Sequence, residues 1–321
     1  QAAFGEEIGM RIGLVVDSAC DLPQDFYRDH TIVILPVTVH VGNEEFVDRR
    51  DPEATLEFYK RHLSNAANAE TAPFTVEQIR ELFLQRLVLD YDFVFCLTVA
   101  SGRSPIFENA TQASLSILSE YKAVRAQAGV QGPFALRVID SQNLFAAQGV
   151  LAVEAARMIR EGHTPNRIRE RLDSLIPALY MYGVPSDLYH LRARANKKGD
   201  KSVGWFKYAV GSALDIKPLI RANRNETASI ASIRHFDEGA RRLCQFVTER
   251  IRAGLLTSTV CVSYGGNMER LERLPGYLEL KQAAADHGVQ LYASVASVTA
   301  CINVGEGALN IGFCAPEHEF H

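Results

Sequence analysis

Most of the chemistry available in this sequence lies in four serine hydroxyls. Ser18 follows an apolar run at 11–16, Ser101 and Ser104 follow another at 93–98, and Ser141 follows a third at 135–139. A hydroxyl at such a place can donate to a ligand carboxylate, and a hydrogen bond to a charged group contributes roughly 1.5–3 kcal/mol. Ser101 or Ser104 could instead be the nucleophile of a hydrolase or phosphotransferase, which requires a histidine or lysine within hydrogen-bonding reach. No histidine is close to either in sequence. Thirdly, such residues cap helices and close turns. The residues alone leave all three readings open.

Other chemistry is excluded more firmly. The sequence has no GxxxxGK[ST] loop, no GxGxxG after the first apolar run, no GxSxG elbow and no HExxH, so phosphate-loop, dinucleotide, hydrolase-elbow and zincin signatures are missing. The six cysteines contain no CxxC pair; neither a zinc site nor a disulfide framework is expected. His318 and His321 could chelate a metal, but the expectation is a frayed tail. No metal and no cofactor are therefore expected.

The elements that must position the hydroxyls alternate in the first half. Short continuous apolar runs at 11–16, 31–39, 93–98 and 135–139 read as strands buried on both faces. Helices are expected from Asp51-Pro52 through His62, from the Thr75/Gln78 capping box to about Leu87, over 107–122, over 144–161, and after Thr164-Pro165. This pattern implies a parallel sheet covered on both faces. Ligands of such sheets collect beyond the carboxyl ends of the strands, where Ser18, Ser101, Ser104 and Ser141 all stand.

The second half predicts strands at 179–184, 216–221, 229–234, 257–263, 289–294 and 308–313. Helices are expected over 206–214, 237–252 and 275–287, the middle one with Ala240, Leu243, Val247 and Ile251 on one stripe. The fold class is thus α/β with two domains: a three-layer parallel-sheet domain over 10–172, and a two-layer mixed-sheet domain over 173–321.

Composition fits that frame. Of 321 residues 47% are hydrophobic and 22% charged, with a formal net charge of −4. That balance argues against broad nucleic-acid binding, and the Lys197, Lys198 and Lys201 cluster reads as a solvated loop. No run reaches the roughly 18 apolar residues of a membrane span, so no stable membrane insertion is expected. Residues 1–9 read as an expression remnant or flexible arm before Met10, the expected native start. A cytoplasmic monomer is expected.

Several short motifs occur in an order and spacing that resemble the DegV family. Asp17-Ser-Ala-Cys-Asp21-Leu-Pro23 resembles its D-S-x-x-D-L-P signature, and Thr71-Ala-Pro73 its T-S-x-P loop. Ser101-Gly-Arg-Ser104-Pro-Ile-Phe107 resembles S-G-T-Y and its flanks, Val138 to Ser141 the V-I-D-S strand end, Gly211 to Ile220 the I-K-P stretch, and Gly305-Glu-Gly307-Ala-Leu309 the G-P-G-A-L turn. The resemblance spans Met10 to Phe313. It implies two α/β domains holding a long-chain fatty acid in a tunnel between and within them, so that the protein is a lipid carrier and not an enzyme.

By that resemblance the carboxylate contacts are Thr71 and Ser104, with Ser101 and Ser18 on neighbouring loops. Family members present the acid to a separate fatty acid kinase, which makes an acyl phosphate. Arg234 stands where the family carries an arginine linked to that step, and Asn303 where it carries a histidine. Pro105-Ile106 replaces the Gly-Thr of the S-G-T-Y loop, and Lys198-Gly-Asp-Lys-Ser202 replaces a G-G-R-I-S stretch.

Overall fold

The computed structural model describes residues 9–62, 69–187 and 215–321. The helix expected over 206–214 and the lysine cluster at 197–201 lie outside the described residues.

Strand β1 (Ile12–Asp17) pairs in parallel with β2 (Val33–Leu35) and β6 (Phe93–Thr98), and β6 with β7 (Ala135–Asp140). The order β2-β1-β6-β7 makes a four-stranded parallel sheet. The single strand expected over 31–39 is two strands in two sheets. Pro36 has no N–H to continue the ladder, and the chain leaves β2 there as β3 (Val37–Val41). That strand is the centre of an antiparallel sheet with β4 (Glu44–Asp48) and β5 (Glu70–Ala72).

Two expected helices are also interrupted. The capping box at Thr75 and Gln78 is present, but the α-helix Val76–Leu82 passes into a π-turn at Phe83–Leu87. The helix expected over 107–122 is Ile106–Ser116, then a 3₁₀ turn at Ile117–Ser119, then Tyr121–Gln127.

The second sheet has six strands: β8 (Leu179–Val184), β9 (Ile216–Asn223), β10 (Glu226–Arg234), β11 (Thr259–Tyr264), β12 (Gln290–Val295) and β13 (Leu309–Cys314), in the order β10-β9-β8-β13-β11-β12. Only β11–β12 is parallel, so the sheet is mixed.

Between the two sheets lies the helix Phe145–Arg160. Thirteen of its sixteen residues are buried, as expected of a helix that is apolar nearly all round. On β8, Met181 joins the core around this helix, whereas Tyr180, Tyr182 and Val184 join the core under the helix Phe236–Ala253. Alternate residues of one strand therefore serve opposite cores. That is why β8, β11 and β13 are buried at every position.

The C-terminus corrects another expectation. His318 is no part of a frayed tail: its Nε2 is 2.8 Å from the Tyr182 hydroxyl, and its ring centroid is 4.4 Å from that of Tyr180. Phe320 packs edge-on to Phe246. His318 and Phe320 thus pack onto the second core, while Glu319 and His321 between and after them are exposed.

Candidate functional site

The loop after β1 is held by its own acidic residues. Asp17 Oδ1 accepts from the Ala19 N–H at 3.0 Å, and Oδ2 from the Val99 N–H at 2.6 Å, tying this loop to the one after β6. Burial pushes the Asp17 carboxyl up to about 6, with these N–H groups pulling the other way. Ser18 is fully buried and its Oγ accepts from Val37 N–H at 2.9 Å. It thereby takes the donor that emerges just past Pro36.

Beside them Arg50 is buried with its guanidinium 2.8 Å from Asp21 Oδ1. The same guanidinium donates to Ser18 O at 3.2 Å and to Val295 O at 3.0 Å. Asp48 accepts from Val298 N–H at 3.1 Å, and Asp21 from Ser297 N–H at 3.1 Å. Burial raises both carboxyls, against the pull of Arg50. This cluster clamps the helix Val298–Val304 onto the loop after β1. Arg50 was not singled out from sequence, because nothing local marks an arginine whose partners are so remote.

The loops after β6 and β7 meet the β9–β10 hairpin. Asp140 Oδ1 accepts from Ser101 N–H at 3.1 Å and Gln142 N–H at 2.9 Å, while its Oδ2 accepts from Asn225 Nδ2 at 3.3 Å. Arg103 hydrogen-bonds to Thr227 on β10. Buried Asn143 donates to Leu179 O at 2.9 Å and Ala222 O at 3.0 Å, fastening β7's loop to β8 and β9. Ser141 is likewise fully buried; its hydroxyl and Asn143 form a local turn.

The four hydroxyls at the strand ends therefore divide. Ser18 and Ser141 are built into turns. Ser101 is exposed and Ser104 half-buried, its Oγ accepting from Ile106 N–H at 3.3 Å. Thr71 is exposed on β5, opposite Val39. Five residues after Ser104, in the first turn of the helix Ile106–Ser116, Asn109 donates from Nδ2 to Phe74 O at 3.0 Å, three residues past Thr71. That bond joins the segment after Thr71 to the helix after Ser104, while the Ser18 hydroxyl is held at the Val37 N–H.

Arg234 is exposed at the end of β10, and Asn303 is half-buried in the helix Val298–Val304, where its Nδ2 donates to Thr299 O at 2.7 Å. The two stand on different elements. Among the described residues no group of three or more His, Cys, Asp or Glu side chains could hold a metal, and no helix is long and apolar enough to cross a membrane.

Between the start of the helix Phe145–Arg160 and the six-stranded sheet lies an apolar cavity of about 20 Å³. Leu144, Phe145, Met181, Gly183, Ile220 and Asn310 are among the residues that line it. Phe145 enters the helix with φ of +45°, in the left-handed region that a buried aromatic rarely adopts.

Comparison with known proteins places this geometry. Residues 11–316 match a family described as an uncharacterised protein of the DegV family. A DegV domain-containing protein of Xanthomonas axonopodis is 54% identical over 312 residues, covering 97% of this chain and 99% of that one. Two solved structures share the fold. The fatty acid binding protein DegV from Bacillus subtilis matches with a TM-score of 0.72 and 22% identity, over 96% of this chain and 100% of that one. A stearic acid-binding protein from Eubacterium ventriosum matches with a TM-score of 0.74 and 18% identity, over 95% and 98%.

Proposed function

This chain belongs to the DegV family, and from that premise we propose that it carries a long-chain fatty acid in its interior and does no chemistry of its own on it. The supporting observation is the end-to-end match to proteins named for bound fatty acids, in a chain that has a small apolar cavity between its central helix and its six-stranded sheet. On this reading the domains are 10–172 and 173–321, and the tunnel runs between and within them. Thr71 and Ser104 hold the carboxylate, with Ser101 and Ser18 behind them, and no cofactor takes part.

Burying a CH₂ contributes about 0.8 kcal/mol, so a 16-carbon tail offers on the order of 10 kcal/mol before the costs of ordering it. Ligand sites of this kind span roughly 300–1,000 Å³, far above the cavity's 20 Å³. Binding therefore requires lining side chains to part; Met181, with three rotatable bonds, is suited to that. Hydroxyl recognition leaves the carboxylate without a buried cation, which keeps it reactive toward a partner. A fatty acid kinase would then meet the carrier near Arg234 and Asn303.

The rival reading makes Ser101 or Ser104 the nucleophile of a hydrolase or phosphotransferase. Among the described residues neither hydroxyl is hydrogen-bonded to a histidine or lysine, and the structural relatives named above do not favour it. Titration of delipidated protein with palmitate and oleate separates the two. Saturable one-to-one uptake with no serine labelled by a fluorophosphonate is the expected result. Labelling of Ser101 or Ser104 without uptake would overturn the carrier reading.

A further inference from the structure

Asn310 is a polar side chain in an otherwise apolar place. It is 3% exposed, it lines the apolar cavity at the start of the helix Phe145–Arg160, and its Nδ2 has no hydrogen-bond partner. A buried amide donor left in this state carries a desolvation penalty. Its cross-strand neighbours on β13 are Gly183 of β8 and Ser263 of β11. The Ser263 hydroxyl is likewise buried without a hydrogen-bond partner.

Two further features make this a built site. Gly183 has no side chain where a Cβ would collide with Asn310 Oδ1, so the strand opposite is cut away to admit the amide. Also on the wall are Phe145, which opens a sixteen-residue helix without a side-chain cap, and Leu144 before it, whose own N–H donates to Asn143 Oδ1. The N–H groups of a helix's first turn point outward and favour an acceptor oxygen. An unpartnered amide and an uncapped helix start thus border one apolar cavity.

The cavity volume of about 20 Å³ suits a single oxygen-sized group, since a water needs roughly 10–15 Å³. A water there would also need two to four polar partners, and Asn310 is the one polar side chain among the described lining residues. We infer that Asn310 is a ligand-recognition residue: its amide, with the start of the helix Phe145–Arg160, receives an oxygen acceptor of the bound acyl ligand. This rests on the carrier reading above. The acceptor is either an oxygen borne along the chain as a hydroxyl or oxo group, with the carboxylate at Thr71 and Ser104, or the carboxylate itself, which would then sit at Asn310 in place of those two hydroxyls.

The test compares wild type with Asn310→Leu, similar in size but without the donor. Thermal melting of both delipidated proteins is measured, and then affinity for palmitate and for hydroxypalmitates with the hydroxyl moved along the chain. The inference predicts that the variant melts no lower than wild type, because an unpartnered donor is gone, yet binds about tenfold more weakly wherever the amide meets ligand oxygen. Equal weakening across the panel makes the carboxylate the acceptor. Weakening confined to one hydroxyl position makes it the chain oxygen. Gly183→Ala, which pushes the amide aside, should reproduce the same pattern if Asn310→Leu misfolds. Unchanged affinities throughout, with palmitate still bound, would overturn the inference and leave the carrier reading standing; no uptake by wild type would remove both.

Discussion

Arg50 and Asp21 face one another across 2.8 Å with their side chains 4% and 0% exposed. They lie where the loop after β1, the end of β4 and the end of β12 converge, since the same guanidinium also reaches the carbonyls of Ser18 and Val295. One cation thereby spans both sheets. Asp17 and Asp48 are buried in the same neighbourhood, so the cluster holds three carboxyls to one guanidinium.

Arg50→Met should accordingly destabilise the protein by about 3–5 kcal/mol, the range for removing one partner of a buried pair. Urea unfolding followed by circular dichroism measures this. A loss under about 1 kcal/mol would place the pair among weak surface-type contacts instead.

The Asp17 carboxyl supplies a pH signature. Burial lifts it from 3.8 to about 6 in the folded protein. The folded state therefore binds more protons across that window than the unfolded state, and its stability falls as pH rises from 3.8 to 6. Asp21 and Asp48 are raised in the same direction. The difference in unfolding free energy between wild type and Asp17→Asn should shrink over that window and level off above it. A difference independent of pH would contradict the assignment.

Gly312→Ala tests the packing of the central helix. A Cβ on Gly312 would collide with the backbone of Ala146 and Ala147, and backbone cannot swing aside as a side chain can. A loss of about 1–3 kcal/mol or more is expected, read from the urea midpoint.

Ser104→Ala should weaken fatty acid binding by about 1–3 kcal/mol without abolishing it, because the tail supplies most of the affinity. Fluorescent fatty acid displacement reads this out. Unchanged affinity would show that Ser104 is no headgroup ligand.

The parallel sheet was largely legible in the sequence because each of its longer strands is a continuous apolar run bounded by turn residues; β6 begins and ends where the run 93–98 does. The capping box at Thr75 and the Thr164 cap were legible for the same local reason. The small antiparallel sheet was not. Glu44–Asp48 is charged and only half-buried, and Pro36 hides the end of one strand inside an apolar stretch. Nor could local pattern announce Arg50, whose bond to Val295 joins positions 245 residues apart. In the candidate site, the loops carrying Thr71, Ser101 and Ser104 were marked by family-like motifs. Asn310 carried no such mark, since its meaning arises only when Gly183 and the start of a distant helix close around it.

The central claim is tested most directly by native mass spectrometry of freshly purified protein, followed by solvent extraction of whatever is released. The account predicts a mass excess that resolves into 16- or 18-carbon fatty acids. An unliganded mass that stays unchanged after incubation with palmitate or oleate would contradict it.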